Sequence, residues 1–209
     1  MSEVIKKVRD KEGEKLTKEE SYRFCREINR NHYENFTVVS KLIPRDMRKY
    51  IHAFYAYCRY TDDIGDEYTG DNLKALDEWA DNVEELFSGR KPDHPILIAV
   101  SDLTKKFGIS ASPFLDIIEA NRMDQLNDSY RTYDDLLQYC DHSANPVGRV
   151  FLNIFGYADE ERRALSDKTC TGLQLSNFWQ DVSRDLGKGR VYIPLEDMKR
   201  FDYTRKELE

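Results

Sequence analysis

Glycine and proline are scarce in this 209-residue chain, with 10 glycines and 6 prolines, and most of them separate segments long enough to form helices. Both residues disrupt helix interiors, so their positions indicate where helices end. No segment combines strand-like alternation of apolar and polar residues with hairpin turn signals. The sequence therefore predicts an all-α fold built as a single helical domain.

Capping residues predict where the helices begin. Thr17 and Glu20 form a capping box that opens a first helix, and Pro44 suits the first turn of a second. A break is expected at Asn145 and Pro146, because proline lacks the backbone donor that a helix interior needs. Further helices are expected over residues 71–86, 95–107, 112–127, 132–144 and, as one long helix, 159–185. Gly108 is expected to close the helix at 95–107, and Thr132 with Asp135 to open the one at 132–144.

The two ends of the chain depart from this pattern. Segment 1–16 mixes both charge signs and is predicted to be a solvated polar tail, which leaves 17–209 as the helical domain. Pro194 opens a last helix that has little chain after it to pack against. We therefore expect C-terminal helices of the domain to be missing from this chain.

Composition excludes several classes of protein. The 32 basic and 39 acidic side chains give a net charge of −7, which argues against a nucleic-acid partner. No apolar run approaches the roughly 18 residues of a transmembrane helix, and the first residues lack the apolar core of a secretory signal. The 4 cysteines are scattered without metal-ligand spacing. We expect a cytoplasmic protein, with peripheral contact at the inner face of the membrane.

A first group of carboxylates ends an almost continuously apolar helical segment, residues 51–58. Asp62 and Asp66 are four residues apart and share one helical face, with Arg59 one turn before them. Carboxylates in such a position repel one another unless a cation bridges them. The alternative is a solvated acidic helix end.

A second polar stripe is formed by Gln174, Asn177, Asp181 and Asp185, which are spaced by three, four and four residues on an otherwise apolar helix. Two aspartate-bearing helices facing each other offer hard oxygen ligands to Mg²⁺, which completes its coordination with water and phosphate oxygens. The sequence therefore predicts metal ions that bridge an acidic protein to an acidic diphosphate substrate.

These segments resemble the aspartate-rich motifs of the squalene and phytoene synthases. The resemblance rests on CRYTDDIGDE at 58–67 and NFWQDVSRDLGKGRVYIP at 177–194, and it extends over 32–194. HYENF at 32–36 and YCDHSANPVG at 139–148 are similar to the bacterial hopanoid-pathway branch, which includes hydroxysqualene synthase. The resemblance implies an isoprenoid-synthase-type helical bundle around a central cavity.

The resemblance also implies the roles of particular residues. The implied metal ligands are Asp62, Asp66, Asn177, Asp181 and Asp185. The implied catalytic residues are Tyr139, Arg59, Asp62 and Asp181. The residues implied to bind the diphosphate or the prenyl chain are Phe36, Tyr55, Arg59, Val147, Leu173, Gln174, Asn177, Arg190 and Tyr192.

The implied reaction is Mg²⁺-dependent ionisation of presqualene diphosphate and addition of water to give hydroxysqualene. The alternative is head-to-head condensation of two farnesyl diphosphates to presqualene diphosphate, squalene or a phytoene-type product. The segment SANPVG at 143–148 replaces a V-A-G-x-V-G string of many relatives and favours the hydroxysqualene branch. Beside the proline, Asn145 and Ser143 are expected to hold the reacting water.

Other expectations concern cofactors and partners. No glycine-rich loop of the nicotinamide-binding type is present, so no nicotinamide cofactor is expected. The expected partners are the prenyl diphosphate substrate and other enzymes of hopanoid or carotenoid biosynthesis. Two non-enzymatic alternatives remain, a degenerate family member that acts as a partner protein and an unrelated helical adaptor. The intact aspartate segments count against both.

Overall fold

A computed structural model of the chain describes residues 2–11, 13–31 and 43–208, without the side chain of Asn31. Within these residues the structure is helical, apart from one isolated parallel bridge between Ser129 and Val191. The helices are α1 (Glu3–Arg9), α2 (Lys18–Asn31), α3 (Arg48–Glu67), α4 (Asn72–Phe87), α5 (Pro95–Phe107), α6 (Ser112–Leu126), α7 (Tyr133–Ser143), α8 (Asn145–Phe155), α9 (Glu160–Gln180), α10 (Val182–Gly187), α11 (Leu195–Arg200) and α12 (Arg205–Leu208). The predicted all-α fold is confirmed.

The predicted caps form at several helix ends. Thr17 and Glu20 make the reciprocal bonds of a capping box before α2, with the Glu20 carboxylate 2.8 Å from the Thr17 amide. Thr132 and Asp135 form the same arrangement before α7. Gly108 ends α5 in the left-handed conformation, with φ of 63°, which favours glycine.

Helix α3 lies at the centre of the core, in contact with α1, α2, α4, α5 and α6. Tyr57 is fully buried there, stacked on Trp79 and edge-on to Phe114, and its hydroxyl donates to the Phe114 carbonyl at 2.8 Å. The Trp79 indole donates to Thr61 at 2.9 Å. This packing fixes α3 one turn before the carboxylates at its C-terminal end.

The N-terminal segment differs from the prediction. Residues predicted to be a solvated tail form α1, in which Val4, Ile5 and Val8 are buried and which packs against α3. The physical reason is that these three apolar residues share one helical face although charged residues surround them in sequence. Ser2 caps the helix by accepting a hydrogen bond from the Ile5 amide at 3.0 Å.

Two helix breaks affect the site. The break expected at Asn145 and Pro146 is confirmed, because α7 and α8 meet at Ala144. The single helix expected over 159–185 is wrong, since the chain leaves helical geometry at Asp181, with φ of −101° and ψ of 12°, between α9 and α10. The second aspartate stripe is therefore divided between two helices.

None of the helices in the described part of the chain combines the length and the apolar character that crossing a membrane requires.

Candidate active site

The first carboxylate, Asp62, is held at the point where α3 meets α6. Its Oδ1 accepts a hydrogen bond from Asn121 on α6 at 3.2 Å. A Cβ at Gly65 would lie 2.5 Å from the Asn121 side-chain oxygen, so a larger residue there would displace this side chain and its hydrogen bond to Asp62. Asp62 is exposed to solvent at the end of α3, but desolvation by the surrounding protein, together with the nearby Asp66 and Asp63 charges, raises its pKa to about 6.

Asp63 is buried and has a different role from its neighbours. Only 1% of its side chain is exposed, and its Oδ1 lies 2.6 Å from the guanidinium of Arg59. Glu67 lies on the same guanidinium at 3.6 Å. Arg59, the implied diphosphate-binding residue, is therefore held in place by a buried carboxylate. Because the Arg59 guanidinium is already held, it loses less conformational entropy when it binds an anion through two hydrogen bonds.

Asp66 connects α3 to a segment that lies more than 120 residues later in the chain. It accepts from Lys188 Nζ at 2.8 Å and from Arg190 at 3.1 Å. Burial by itself would raise the pKa of Asp66, but these two cations hold it below its ordinary value. This contact brings the first aspartate segment and the basic residues that follow the second one to the same place.

The segment that carries Arg190 is anchored by backbone hydrogen bonds. The amide of Val191 donates to the Asp128 carbonyl at 2.8 Å, and the amide of Leu195 donates to the Tyr130 carbonyl at 2.9 Å. An open depression of about 430 Å³ lies beside this segment. It is lined by residues 124–129 and 188–190. The backbone thereby holds two cations at the edge of a solvent-accessible space.

The second carboxylate pair lies where α9 changes to α10. The Asp181 carbonyl accepts from the amides of Arg184 and Asp185 at 2.8 and 3.0 Å, so the two aspartates stay within one turn of each other. Burial and the Asp181 charge raise the pKa of Asp185. Gln174 is half-buried and Asn177 is exposed on the last turns of α9.

The donor chemistry at these positions fits Mg²⁺. In the described residues, no three His, Cys, Asp or Glu side chains are grouped closely enough to hold a metal by themselves. Mg²⁺ does not require such a group, because it is held by one or two carboxylates together with water and substrate phosphates. Asp62 and Asp185 each have a pKa raised by burial and by a neighbouring carboxylate, so a cation would stabilise both.

Asp124, which the sequence analysis missed, connects two of the implied site residues. Its carboxylate accepts from the Tyr139 hydroxyl at 2.7 Å and from the Tyr192 hydroxyl at 2.8 Å. Arg190 lies 3.9 Å from the same carboxylate. The available signal was its position three residues after Asn121, on the same face of α6. Burial raises the pKa of Tyr139 well above its ordinary value, so this phenol keeps its proton.

An aromatic wall surrounds these hydroxyls. The rings of Phe178 and Tyr192 stack with centroids 4.1 Å apart, and Tyr139 lies beside both, at 5.9 and 5.6 Å. Phe178 is one of the two buried residues of α9. The stacking therefore attaches the last turn of α9 to the segment after α10.

The other implied substrate-binding residues lie farther from this network. Tyr55 is half-buried on α3 one turn before Arg59, and Val147 is half-buried on α8. Leu173, implied to line the prenyl tunnel, is 63% exposed on α9 and is not enclosed by the described residues. Phe36 lies outside the described residues.

The expected water-binding role of Asn145 is not supported. Its side chain is buried, its amide nitrogen donates to Asp141 at 2.6 Å, and its oxygen accepts from Thr171 at 3.0 Å. Both ends of the amide thus have protein partners and tie α7 and α8 to α9. The Ser143 hydroxyl is also buried but has no hydrogen-bond partner in the part of the chain that the structure describes.

Comparison with known proteins places this arrangement in a family. The family model for squalene/phytoene synthase matches residues 29–209, nearly the whole chain and both aspartate segments. The chain belongs to the squalene/phytoene synthase family. Members of this family are prenyl diphosphate-processing enzymes, and the predicted family membership is confirmed.

Solved structures of relatives share the fold. Squalene synthase HpnC from Alicyclobacillus acidocaldarius is 43% identical, with a TM-score of 0.87 over 91% of this chain and 72% of that chain. A dehydrosqualene synthase in complex with ligand is 27% identical, with a TM-score of 0.81 over 91% of this chain and 67% of that chain.

Curated sequences agree with the structural likeness. The phytoene synthase of Arthrospira platensis is 33% identical over 92% of this chain and 67% of its own length. The 15-cis-phytoene synthase of Synechococcus elongatus is 32% identical over 90% of this chain and 66% of its own length. The chain thus spans about two thirds of these cyanobacterial relatives.

Proposed function

We propose that this protein ionises presqualene diphosphate in a Mg²⁺-dependent reaction and adds water to give hydroxysqualene. The observation that carries the proposal is the contact of Asp66 with Lys188 and Arg190, which joins the two aspartate segments beside a solvent-accessible depression that these two cations line. Carboxylates for metal ions and cations for a diphosphate are then available at the same place.

The cations of the chain stabilise the leaving diphosphate. Arg59 and Arg190 present guanidinium groups, and Lys188 adds a third positive charge. Charge that builds up on the leaving oxygens during ionisation is stabilised by such preorganised donors. Mg²⁺ held by Asp62, Asp66, Asn177, Asp181 and Asp185 would supply Lewis acidity to the same oxygens.

The aromatic wall suits the carbocation that ionisation leaves behind. Phe178, Tyr139 and Tyr192 offer ring faces, which attract positive charge. Because Tyr139 and Tyr192 donate hydrogen bonds to Asp124, these hydroxyls are engaged rather than free to attack the cation. Water entry then depends on other groups.

Ser143 is the residue that we assign to orienting the water. It follows Tyr139 by four residues on α7 and therefore lies on the same helical face. Its buried hydroxyl has no partner among the described residues, whereas Asn145 is fully engaged. A buried hydroxyl of this kind costs free energy unless it binds something, and a single water satisfies it.

A second candidate function is head-to-head condensation of two farnesyl diphosphates. The names of the relatives support it, since they include phytoene synthases, a dehydrosqualene synthase and a squalene synthase. Ionisation and diphosphate stabilisation would use the same residues in both reactions. The two reactions differ in what captures the cation, a water molecule or a second prenyl chain.

The deciding experiment incubates the purified protein with presqualene diphosphate or farnesyl diphosphate, with Mg²⁺ or with EDTA, in ¹⁸O-labelled water. We expect a labelled alcohol from presqualene diphosphate only with Mg²⁺, and much less of it from S143A. A hydrocarbon product, or efficient use of farnesyl diphosphate alone, would establish condensation instead. If no diphosphate is released from either substrate, the partner-protein alternative is favoured. Contact with a membrane or with other pathway enzymes stays a prediction.

A further inference from the structure

A basic groove lies between α2 and the N-terminal part of α3, away from the aspartate segments. It encloses about 610 Å³ and is lined by Glu19, Tyr22, Arg23, Arg26, Arg45, Arg48, Lys49 and His52. With a rise of about 1.5 Å per helical residue, Arg48 and Asp62 are separated by roughly 21 Å along α3. The groove is therefore distinct from the place where Asp62 and Asp66 gather.

Positive charge in this groove is not neutralised by its lining. Five arginine and lysine side chains face a single acidic residue, Glu19, although the whole chain has a net charge of −7. None of these five cations forms an ion pair with a residue in the described ranges, in contrast to the paired arginines at 59, 122, 149 and 190. Like charges that are held close together repel until an anion binds between them.

The side chains are oriented toward the groove by helical spacing. Glu19, Tyr22, Arg23 and Arg26 follow one face of α2. Arg48, Lys49 and His52 follow one face at the start of α3, and Arg45 lies in the turn before it. Lys49 lies over the rings of Tyr22 and Tyr50 at 4.7 and 4.8 Å, which positions its ammonium group. The charges are thus held by two packed helices.

One buried polar atom beside His52, a lining residue of the groove, is unsatisfied among the described residues. Asn29 is 8% exposed, its amide nitrogen contacts His52, and its oxygen has no partner among the described residues. Burial and the charges of Arg26 and Arg48 hold the pKa of His52 below its ordinary value. Arg26 and Arg48 therefore lie close enough to His52 to act on its charge.

We propose that this groove is a second anion site, which binds a phosphate group from an anionic lipid headgroup or from a phosphorylated molecule in solution. Guanidinium groups match phosphate oxygens in paired hydrogen bonds, and several of them around one anion give both affinity and orientation. Arg23, Arg26 and Arg45 are exposed and make no other polar side-chain contact with the residues described, so they are available for a ligand.

The test compares the wild-type chain with R23Q/R26Q/R45Q. These substitutions remove three charges without breaking a hydrogen bond to the described residues, unlike a change at Arg48, which donates to the Ile43 carbonyl. The matched control is R163Q/K168Q/K199Q, which removes three exposed charges elsewhere. Melting temperatures of all three proteins show that folding is retained.

Binding is measured in EDTA, so that metal-bridged diphosphate at the aspartate segments does not contribute. One arm titrates inorganic phosphate and inorganic diphosphate, and the other sediments the protein with vesicles of phosphatidylglycerol or of phosphatidylcholine. We expect wild-type and control proteins to bind, and the triple groove variant to lose at least about tenfold in affinity, with a weaker dependence on salt.

The two arms distinguish the sources of the phosphate. Binding to phosphatidylglycerol vesicles but not to the soluble anions identifies a lipid headgroup, and binding to the soluble anions identifies a dissolved phosphate compound. Equal binding by wild type and the groove variant, or no binding by wild type in either arm, overturns the proposal. Because turnover is not the readout, these outcomes are independent of the proposed reaction.

Discussion

The two aspartate segments are supported to very different degrees. Ten of the 20 residues of α3 are buried, whereas α9 has two buried residues among 21. The end of α3 is further tied to α6 through Asn121 and to Lys188 and Arg190. The end of α9 depends mainly on the stacking of Phe178 against Tyr192.

This difference shows that the first half of the site is preorganised by the core, while the second half lies on a helix with a largely uncovered face. Exposed apolar residues on that face include Leu165, Leu173 and Trp179. A carboxylate that the fold holds in place is partly desolvated and lies near other negative charges. Both effects raise the pKa of Asp62. Variants in the two halves should therefore affect activity and stability in different proportions.

The largest effect is expected on activity when either half loses a carboxylate. D62N and D181N should each reduce Mg²⁺-dependent diphosphate release from presqualene diphosphate by about a thousandfold, because a metal ligand is lost from each half. The melting temperature of D181N should change little, and that of D62N should not fall. The matched control is D134N, at an exposed aspartate on α7, which should keep full activity. Normal turnover by D62N would show that Asp62 is not a metal ligand.

The next largest effect is on the free energy of unfolding, and it should differ between variants in α3 and in α9. F54A removes a fully buried ring from α3 and should lower the free energy of unfolding by about 3–5 kcal/mol. L173A, at an exposed position of α9, should change it by less than about 0.5 kcal/mol. Urea unfolding followed by circular dichroism measures both. A large loss in L173A would mean that the uncovered face of α9 is buried in solution.

Asp124 provides a test of the link between the halves. D124A leaves the Tyr139 and Tyr192 hydroxyls without their acceptor and should cost about 2–3 kcal/mol of stability. D124N keeps an acceptor oxygen and should recover part of the loss. As a control, D128A breaks an ion pair with Arg205 and a hydrogen bond from the Ser129 hydroxyl, both at the surface, and should have little effect. Equal stability of D124A and D128A would show that the two tyrosines do not depend on Asp124.

The smallest effect is a pH dependence that has opposite signs at Asp62 and Asp66 of α3. The folded-state pKa of Asp62 is raised to about 6, so its contribution to stability is fully present below its ordinary pKa and is lost as pH rises through about 6. In EDTA, D62N should therefore melt a few degrees above wild type at pH 7.5 and close to it at pH 4.

The matched comparison is D66N, because the pKa of Asp66 is held below its ordinary value. Its contribution is present at neutral pH and is lost as pH falls through the lowered pKa, so D66N should melt below wild type at pH 7.5. Differential scanning calorimetry at both pH values gives the two signs. The same sign for both variants at pH 7.5 would contradict the assigned environments.

Several features of the fold follow from the sequence alone because they depend on local geometry. The all-α class, the capping boxes at Thr17 and Thr132 and the break at residues 144–146 are set by residues within one turn of each other. The helical spacing of Asp62 and Asp66 is equally local. The errors at 1–16 and at Asp181 arose where packing outweighed the apparent charge or periodicity of the segment.

The tertiary structure decided which charges and hydroxyls meet. Asp66 contacts Lys188, 122 residues away in the chain, and Asp124 joins Tyr139 to Tyr192. It also decided that Asp63, between two solvent-accessible aspartates, is the buried partner of Arg59. Helical periodicity specifies the face on which a side chain lies, but its partner depends on which helices pack together, and that is set by burial of apolar surface across the whole chain.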